Sequence, residues 1–297
     1  MRPYTWHLTR DLHGFLGHAR DFLHSRPVLH TLPLTVTETL RTQGADAYGP
    51  DAPVFGWLER GGEVRAAFFR TPPRRLTLTP LDLADVDALA VLLAGAEHPL
   101  PGVSADHDTA VAFADAWRRS TGAMPVVRER HRLYRLGESS PPQPPPPGRG
   151  RVAQVRDREL LVRWYRAFGA EIGRADGQDA GAWADVRIAA RRVMLWEGPD
   201  GTPVSMAGAS PMVAGQIKVA PVYTPAHLRG RGYAGAVTVE AGRAALAAGA
   251  TDVVLFADLT NPTSNGLYRR IGYRRVTDFT MYDFTAAPAP APDPESA

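Results

Sequence analysis

One stretch constrains this chain more than any other: Val222-Tyr223-Thr224-Pro225-Ala226-His227-Leu228-Arg229-Gly230-Arg231-Gly232-Tyr233-Ala234. An apolar run meets a proline, and a glycine-rich basic loop then opens into an alanine-rich helical pattern. That order reads as strand, tight loop and helix N-terminus. A helix N-terminus carries unpaired N–H groups and the positive end of the macrodipole, so it attracts anions. Glycine at 230 and 232 lets the backbone approach a bulky phosphate with no Cβ in the way. Arg229 and Arg231 add positive charge beside it. The bland alternative is a surface turn whose glycines serve geometry alone; placement directly between strand and helix argues against it. The loop lacks the GK[ST] ending of a nucleotide P-loop and the third glycine of a dinucleotide fingerprint. By itself it marks a site for a phosphorylated ligand and does not say which one.

The length, 297 residues, predicts roughly two domains. Cysteine is absent, which excludes disulfides, thiolate metal sites and cysteine nucleophiles and is compatible with a cytoplasmic location. Met1 to Leu16 mixes His, Arg, Asp and Gly and does not read as a secretory signal. No stretch approaches the ~18 apolar residues of a membrane span. The net charge is +3, carried almost wholly by arginine, with Lys218 the sole lysine. These arginines are interspersed with acids and form no stripe, so nucleic acid is not an expected partner. The nine histidines show no metal-ligand spacing with acidic partners, and no metal is expected. His13 and His18, and His24 and His30, read as scattered helix-surface residues. No Gly-x-Ser-x-Gly elbow or other nucleophile motif occurs.

Ser139 to Gly150, SSPPQPPPPGRG, favours extended polyproline geometry. It reads as a semi-rigid linker, dividing residues 1–138 from a second domain at 151–285. The alternating Ala/Pro tail, 286–297, reads as disordered. The halves resemble each other. Phe55 to Ala67 and Met194 to Ala207 both have the form strand, polar turn, strand, with Trp57 answering to Trp196. In each half a later strand ends in Thr-Pro, at Thr79-Pro80 and Thr224-Pro225, and a helical pattern follows. This suggests an internal duplication. After Pro80, however, comes Leu81-Asp82-Leu83-Ala84-Asp85-Val86, an ordinary capped helix start without the glycine loop.

Periodicity in the second half predicts helices over 157–172, 182–191, 232–248 and 262–271. Strands are expected near 193–197, 203–210, 216–223 and 253–257, with a final strand pair over 274–284. The fold class is α/β: a mixed sheet with helices on both faces.

A second element lies about thirty residues beyond the loop: Asn261-Pro262-Thr263-Ser264-Asn265-Gly266-Leu267-Tyr268-Arg269-Arg270-Ile271-Gly272-Tyr273. Its bland reading is a capped helix with Leu267, Tyr268 and Ile271 on a core face. Together the two elements resemble the GNAT superfamily of acyl-CoA-dependent N-acetyltransferases. Arg229 to Ala234 is similar to that family's motif A, Arg-x-x-Gly-x-Ala, and Asn261 to Tyr273 to its motif B, N-P-x-[ST]-N-x-x-Y-x-x-x-G-[FY]. The resemblance covers Arg151 to Phe284; the first half resembles only degenerate partner copies of the same fold.

What the resemblance implies is a pyrophosphate cradle for acetyl-CoA formed by Arg229, Gly230, Arg231, Gly232, Tyr233 and Ala234. Val222, Tyr223 and Thr224 would lie on a strand splayed from its neighbour, its free backbone groups pairing with pantetheine. Pro221 cannot donate a ladder hydrogen bond, which suits a strand that parts there. Asn261, Ser264 and Asn265 would contribute around a pantetheine amide. Tyr268, on the same helix face seven residues on, would protonate the leaving thiolate. The acceptor would be a small-molecule or peptide amine, and a homodimer is compatible with the fold. A free alkyl amine is mostly protonated at pH 7, so a general base or ordered water should help. Many members place a glutamate on the strand before motif A; here Gln216 to Tyr223 has no acid. Glu171 and Glu197 are the candidates, and the bland reading of both is a solvated surface charge. A different class also fits the residues: a CoA-binding module without catalysis, a sensor or scaffold. An unusual acyl donor or an aminoacyl acceptor is a third reading.

Overall fold

The same order of ten elements runs twice along the chain. The computed structural model describes residues 4–95, 100–173 and 179–286. The first half gives β1 (Tyr4–Thr9), α1 (Leu12–Ser25), α2 (Thr31–Gln43), β2 (Val54–Arg60), β3 (Glu63–Arg70), β4 (Leu76–Leu78), α3 (Leu83–Ala94), β5 (Gly102–Asp106), α4 (His107–Thr121) and β6 (Met124–Leu136). The second gives β7 (Arg149–Val152), α5 (Arg158–Glu171), α6 (Ala180–Ala189), β8 (Val193–Glu197), β9 (Pro203–Ala209), β10 (Gln216–Tyr223), α7 (Tyr233–Ala247), β11 (Asp252–Asp258), α8 (Pro262–Arg270) and β12 (Tyr273–Thr285). Helices and strands fall where periodicity puts them, except that one long strand, β12, replaces the expected final pair. A pair would need a turn, and 274–284 holds no glycine or proline to make one.

The chain folds into two compact units that do not follow the halves. Unit 1 takes residues up to Ala19, Asp51–Arg130 and those from Asp278 on; unit 2 takes Arg20–Pro50 and His131–Thr277. In unit 1 the strand order is β1-β2-β3-β4-β5-β12, antiparallel except for β4 with β5. In unit 2 it is β6-β11-β10-β9-β8-β7, antiparallel except for β10 with β11. Each unit therefore ends in the last strand of the other half of the sequence. The core of unit 1 gathers Phe68, Leu76, Leu89, Val103, Phe113 and Trp117 under α3 and α4.

Alternation along the strands of unit 2 gives its sheet two apolar faces. Trp196, Ala207, Ile217 and Val219 meet α7 and α8 on one. Leu195, Met206 and Tyr223 meet Leu161 and Trp164 of α5 and Trp183 of α6 on the other. The proline-rich run read as a linker lies within unit 2. Pro146 is buried beside Gly232, and Pro142 occupies the room that the absent Cβ of Gly235 leaves. The Trp196 indole N–H donates to the Pro147 carbonyl at 3.1 Å, after which β7 pairs with β8. Residues 287–297 of the tail read as disordered lie outside the described residues. Among the described residues, no helix is long and apolar enough to cross a membrane.

Two surface assignments are corrected by burial. His30 is buried, its ring Nδ1 within 3.0 Å of the Leu23 carbonyl, and burial holds its pKa below the usual imidazole range. The spacing from His24 hid this, because His30 lies beyond the end of α1 and not on its surface. Glu197 is buried at the end of β8, where Arg151 and Arg149 bond it. The Arg151 hydrogen bond holds its carboxyl below the ordinary range, so Glu197 is a structural ion-pair partner and not a solvated charge.

Candidate functional site

The site begins where two parallel strands separate. β10 pairs with β11 over Gln216 to Lys218 only, opposite Asp252 to Val254. Both strands continue, β11 against β6 as far as Asp258 and β10 against β9 as far as Tyr223. Val219 to Tyr223 thus run on with no β11 partner, and their backbone groups on that side face an opening. An irregularity in the β9 ladder between Val219 and Val222 shifts the pleat there. Ile217 and Val219 point to the α7 face, yet Tyr223, of the same parity, points to the α5 face. Such a bulge re-aims a side chain at the cost of one ladder position. Tyr223 thereby packs on Trp164 at 6.1 Å between ring centroids.

Beyond β10 the chain makes the loop and enters α7. Gly230 and Gly232 adopt φ of 76° and 81°, a left-handed conformation costly to residues with a Cβ. Gly232 is the N-cap of α7, so no side chain caps the helix, and its first turn holds no acid. Helices α4, α6 and α8 are each capped by an Asp or Asn side chain. The first-turn amides of α7, a 15-residue helix, are left for an external acceptor. Tyr233 itself is buried against the core; its backbone, not its ring, borders the loop. Val222 is half-buried, and Thr224 is buried with its hydroxyl 2.8 Å from that of Ser205.

The two arginines differ. Arg231 is exposed and makes one long contact, 3.4 Å, to the His227 carbonyl. Arg229 turns away from the loop: its Nε donates to the Thr224 carbonyl at 2.9 Å and one terminal nitrogen to both oxygens of Glu171, at 2.7 and 2.6 Å. Glu171 is therefore brought to the end of β10, but as the partner of Arg229. The Tyr223 phenol is raised by burial and by the Glu171 charge.

Across the opening, Asn261 caps α8 by accepting from the Ser264 N–H at 3.0 Å and is otherwise exposed. Asn265 is buried and its amide is spent: Nδ2 donates to the carbonyls of Asp258 and Asn261, and Oδ1 accepts from Tyr134 at 2.9 Å. It ties α8 to β11 and β6, with no donor left over. Sequence reasoning could not see this latch, since Tyr134 lies in the other half of the chain. Tyr268 is buried, packed between Tyr134 at 6.3 Å and Tyr273 at 6.0 Å. Burial alone pushes its phenol up to about 12. It is a proton donor at neutral pH, and ionising it here is costly.

No protein-family model matches the chain, and no curated protein matches it in sequence. Solved structures do. An acetyltransferase from the GNAT family of Colwellia psychrerythraea superposes with a TM-score of 0.61 at 9% identity, covering 95% of this chain and 100% of that one. A GCN5-related N-acetyltransferase from Sphaerobacter thermophilus gives 0.60 at 18% identity, covering 95% and 96%. A tandem GNAT protein from the clavulanic acid biosynthesis pathway gives 0.59 at 11% identity, covering 97% and 100%. The chain therefore has the mixed α/β acyl-CoA N-acyltransferase fold of the GNAT acetyltransferases.

Proposed function

We propose that this protein is an acetyl-CoA-dependent N-acetyltransferase whose chemistry sits in unit 2. The observation that carries the reading is the parting of β10 from β11, which ends at an uncapped helix N-terminus. A parted strand offers unpaired N–H and C=O groups to the amides of a pantetheine arm. The amides at the start of α7, with Arg231 beside them, suit a pyrophosphate. Asn261 supplies a side-chain amide across the opening.

Transfer would be direct. A neutral amine attacks the thioester carbonyl, a backbone N–H of the parted strand polarises the oxygen, and the C–S bond breaks. Tyr268 delivers its proton to the departing thiolate and recovers one from solvent or from the acceptor's ammonium. Glu171 enters as the anchor of Arg229 at the mouth of the loop, which leaves the amine's proton to ordered water. The tandem order of elements supports an ancestral duplication in which the second copy holds the site. The donor contacts do not depend on the acceptor, so a cytoplasmic amine of small-molecule or peptide type remains the expected partner.

The test is calorimetry of the full chain with acetyl-CoA, paired with an acyl-transfer assay over a broad amine panel. Micromolar binding with turnover of at least one amine is expected. Absence of coenzyme binding overturns the reading; binding without transfer of any amine favours a CoA-sensing module.

A further inference from the structure

The α5–α6 layer of unit 2 carries a cation that the proposed chemistry leaves unused. Arg187, in the last turn of α6, lies 5.5 Å over the Trp183 ring, and Trp183 stacks at 4.3 Å on Tyr165 of α5. The Nε of Arg187 is buried and has no hydrogen-bond partner. Among the described residues no carboxylate pairs with it. The charge that acts on it most strongly is a second guanidinium, Arg192. Arg192 has an acid beside it, Glu38 of α2, but Arg41 takes it with two hydrogen bonds of 2.8 Å, and Asp185 of α6 is taken by Arg158. Among the described residues Arg187 thus has no carboxylate of its own, and the one acting on its neighbour Arg192 is already committed.

This is an unbalanced account for a fold to keep without a use. Contact with an aromatic face offsets only part of what a guanidinium loses on leaving water. Withdrawing a guanidinium from water without a counter-ion is strongly unfavourable. Burial and Arg192 accordingly hold the Arg187 guanidinium below the ordinary arginine range. What would balance it is an anion from outside. The planar fork of an arginine matches a planar carboxylate, and the half-buried Tyr165 ring beside Trp183 offers an apolar wall to the carbon chain behind it. The same layer carries Trp164, which packs on Tyr223 at the parted end of β10.

We infer that Arg187 recognises a carboxylate on the acceptor, so that the substrate class is an amine that also bears a carboxylate, such as an amino acid or an ω-amino acid. The inference rests on the acetyltransferase reading for the amine, while carboxylate binding as such does not. Two measurements on the full chain keep these apart. In the first, propionate is titrated against tryptophan fluorescence without coenzyme. Propionate should quench wild type saturably; Arg187→Gln should abolish the effect, and Trp183→Phe should remove the signal while thermal protection by propionate remains. Propionamide should do nothing. In the second, ω-amino acids are compared with their carboxamides as acceptors. Wild type should favour the acids by about 10- to 100-fold in kcat/KM, mainly through KM, and Arg187→Gln should lose that preference. The melting temperature of Arg187→Gln should equal or exceed that of wild type, because an unbalanced charge leaves; a merely structural stacking role predicts a fall. Equal propionate binding by both proteins, tighter binding of methyl phosphate than of propionate, or an acid preference that survives in Arg187→Gln overturns the proposal. Failure of acetyl-CoA to bind with propionate binding intact would sink the enzyme reading and leave the carboxylate site standing.

Discussion

The two units offer the same helix twice with one atom's difference in chemistry. In unit 2, Asn261 caps α8 by accepting from the N–H three residues on, and seven residues beyond the cap stands Tyr268. In unit 1, Asp106 caps α4 in the same manner through Thr109, and seven residues beyond the cap stands Phe113. Both rings are buried. The strands before them differ in the same direction. β4 ends at Leu78, one residue beyond its last pairing with β5, and Thr79 folds back onto Ala67 of β3. β10 runs five residues past its last pairing with β11. After β4 comes Asp82 and a helix with Asp85 in its first turn, paired to Arg60; after β10 come two left-handed glycines and a helix with no acid there. Among the described residues, an identical order of elements thus gives a strand running on past its parallel partner into two left-handed glycines and an acid-free helix start in one unit only. What separates them is strand length past the parallel pair, the charge at one helix end and one phenolic oxygen.

The largest expected effect comes from making unit 2 resemble unit 1 at that oxygen. Tyr268→Phe should lower kcat by roughly 10²-fold, the usual worth of a positioned acid. It should leave acetyl-CoA affinity within about twofold and stability within about 1 kcal/mol, since no hydrogen bond contributes to the phenol's shifted pKa. Steady-state kinetics with calorimetry decides it; an unchanged kcat removes Tyr268 from the chemistry.

The loop comparison comes next. Gly232→Val forces a β-branched residue into a left-handed conformation, costing about 1–3 kcal/mol, and should weaken acetyl-CoA binding by about tenfold or more. At the matching helix end of unit 1, Asp82 makes no side-chain cap, so Asp82→Ala should leave coenzyme binding untouched. Equal losses from both substitutions would mean that the loop acts through global stability and not as a cradle.

A third contrast is in alkali. Tyr268 and Tyr273 both have pKa values raised by burial, Tyr268 to about 12. An unfolded phenol loses its proton near 10 while the folded one keeps it, so the folded state binds more protons in between. Stability contributed by Tyr268 is therefore full below pH 10 and falls as pH rises towards 12, by up to about 3 kcal/mol. Phe113 gives unit 1 no such slope. Urea denaturation at pH 9 and pH 11 should show a smaller loss in Tyr268→Phe than in wild type.

Much of this was legible in the chain. The glycine loop, the Asn-Pro cap and the helix and strand phases of the second half follow from local rules, because glycine, proline and periodicity act within a few residues. What local rules could not reach were the long-range exchanges. β6 completes unit 2 and β12 completes unit 1, a choice made by strand pairing between distant residues such as Leu255 with Tyr134 and Phe279 with Asp106. The spent amide of Asn265 depends on Tyr134 for the same reason. The burial of Glu197 depends on Arg149, opposite it in the antiparallel β7–β8 pair, and on Arg151 two residues further along β7, and no periodicity within either strand announces a cross-strand ion pair.

The smallest expected effect concerns Glu171, and it decides between two roles that predict different numbers. Both partners of the Glu171–Arg229 pair are about half exposed. Such a pair is worth about 0–1 kcal/mol and weakens with salt. As an anchor, Glu171 fixes Arg229 across the end of β10, where Arg229 also holds the Thr224 carbonyl. Glu171→Gln should then change stability by less than 1 kcal/mol and kcat by no more than about threefold, with a modest rise in KM for acetyl-CoA as the loop loosens. Arg229→Gln should give the same KM effect, and the double variant little more, because the two residues act as one unit. As a general base, Glu171 would give a kcat loss of roughly 10²-fold that Arg229→Gln would not share, and would remove the acidic limb of the pH–rate profile. The bonding of both carboxylate oxygens to one guanidinium favours the anchor. The first half of the chain carries the matching natural experiment: its helix α1 ends in Leu23, His24 and Ser25, with no acid to anchor a glycine loop that this half does not have.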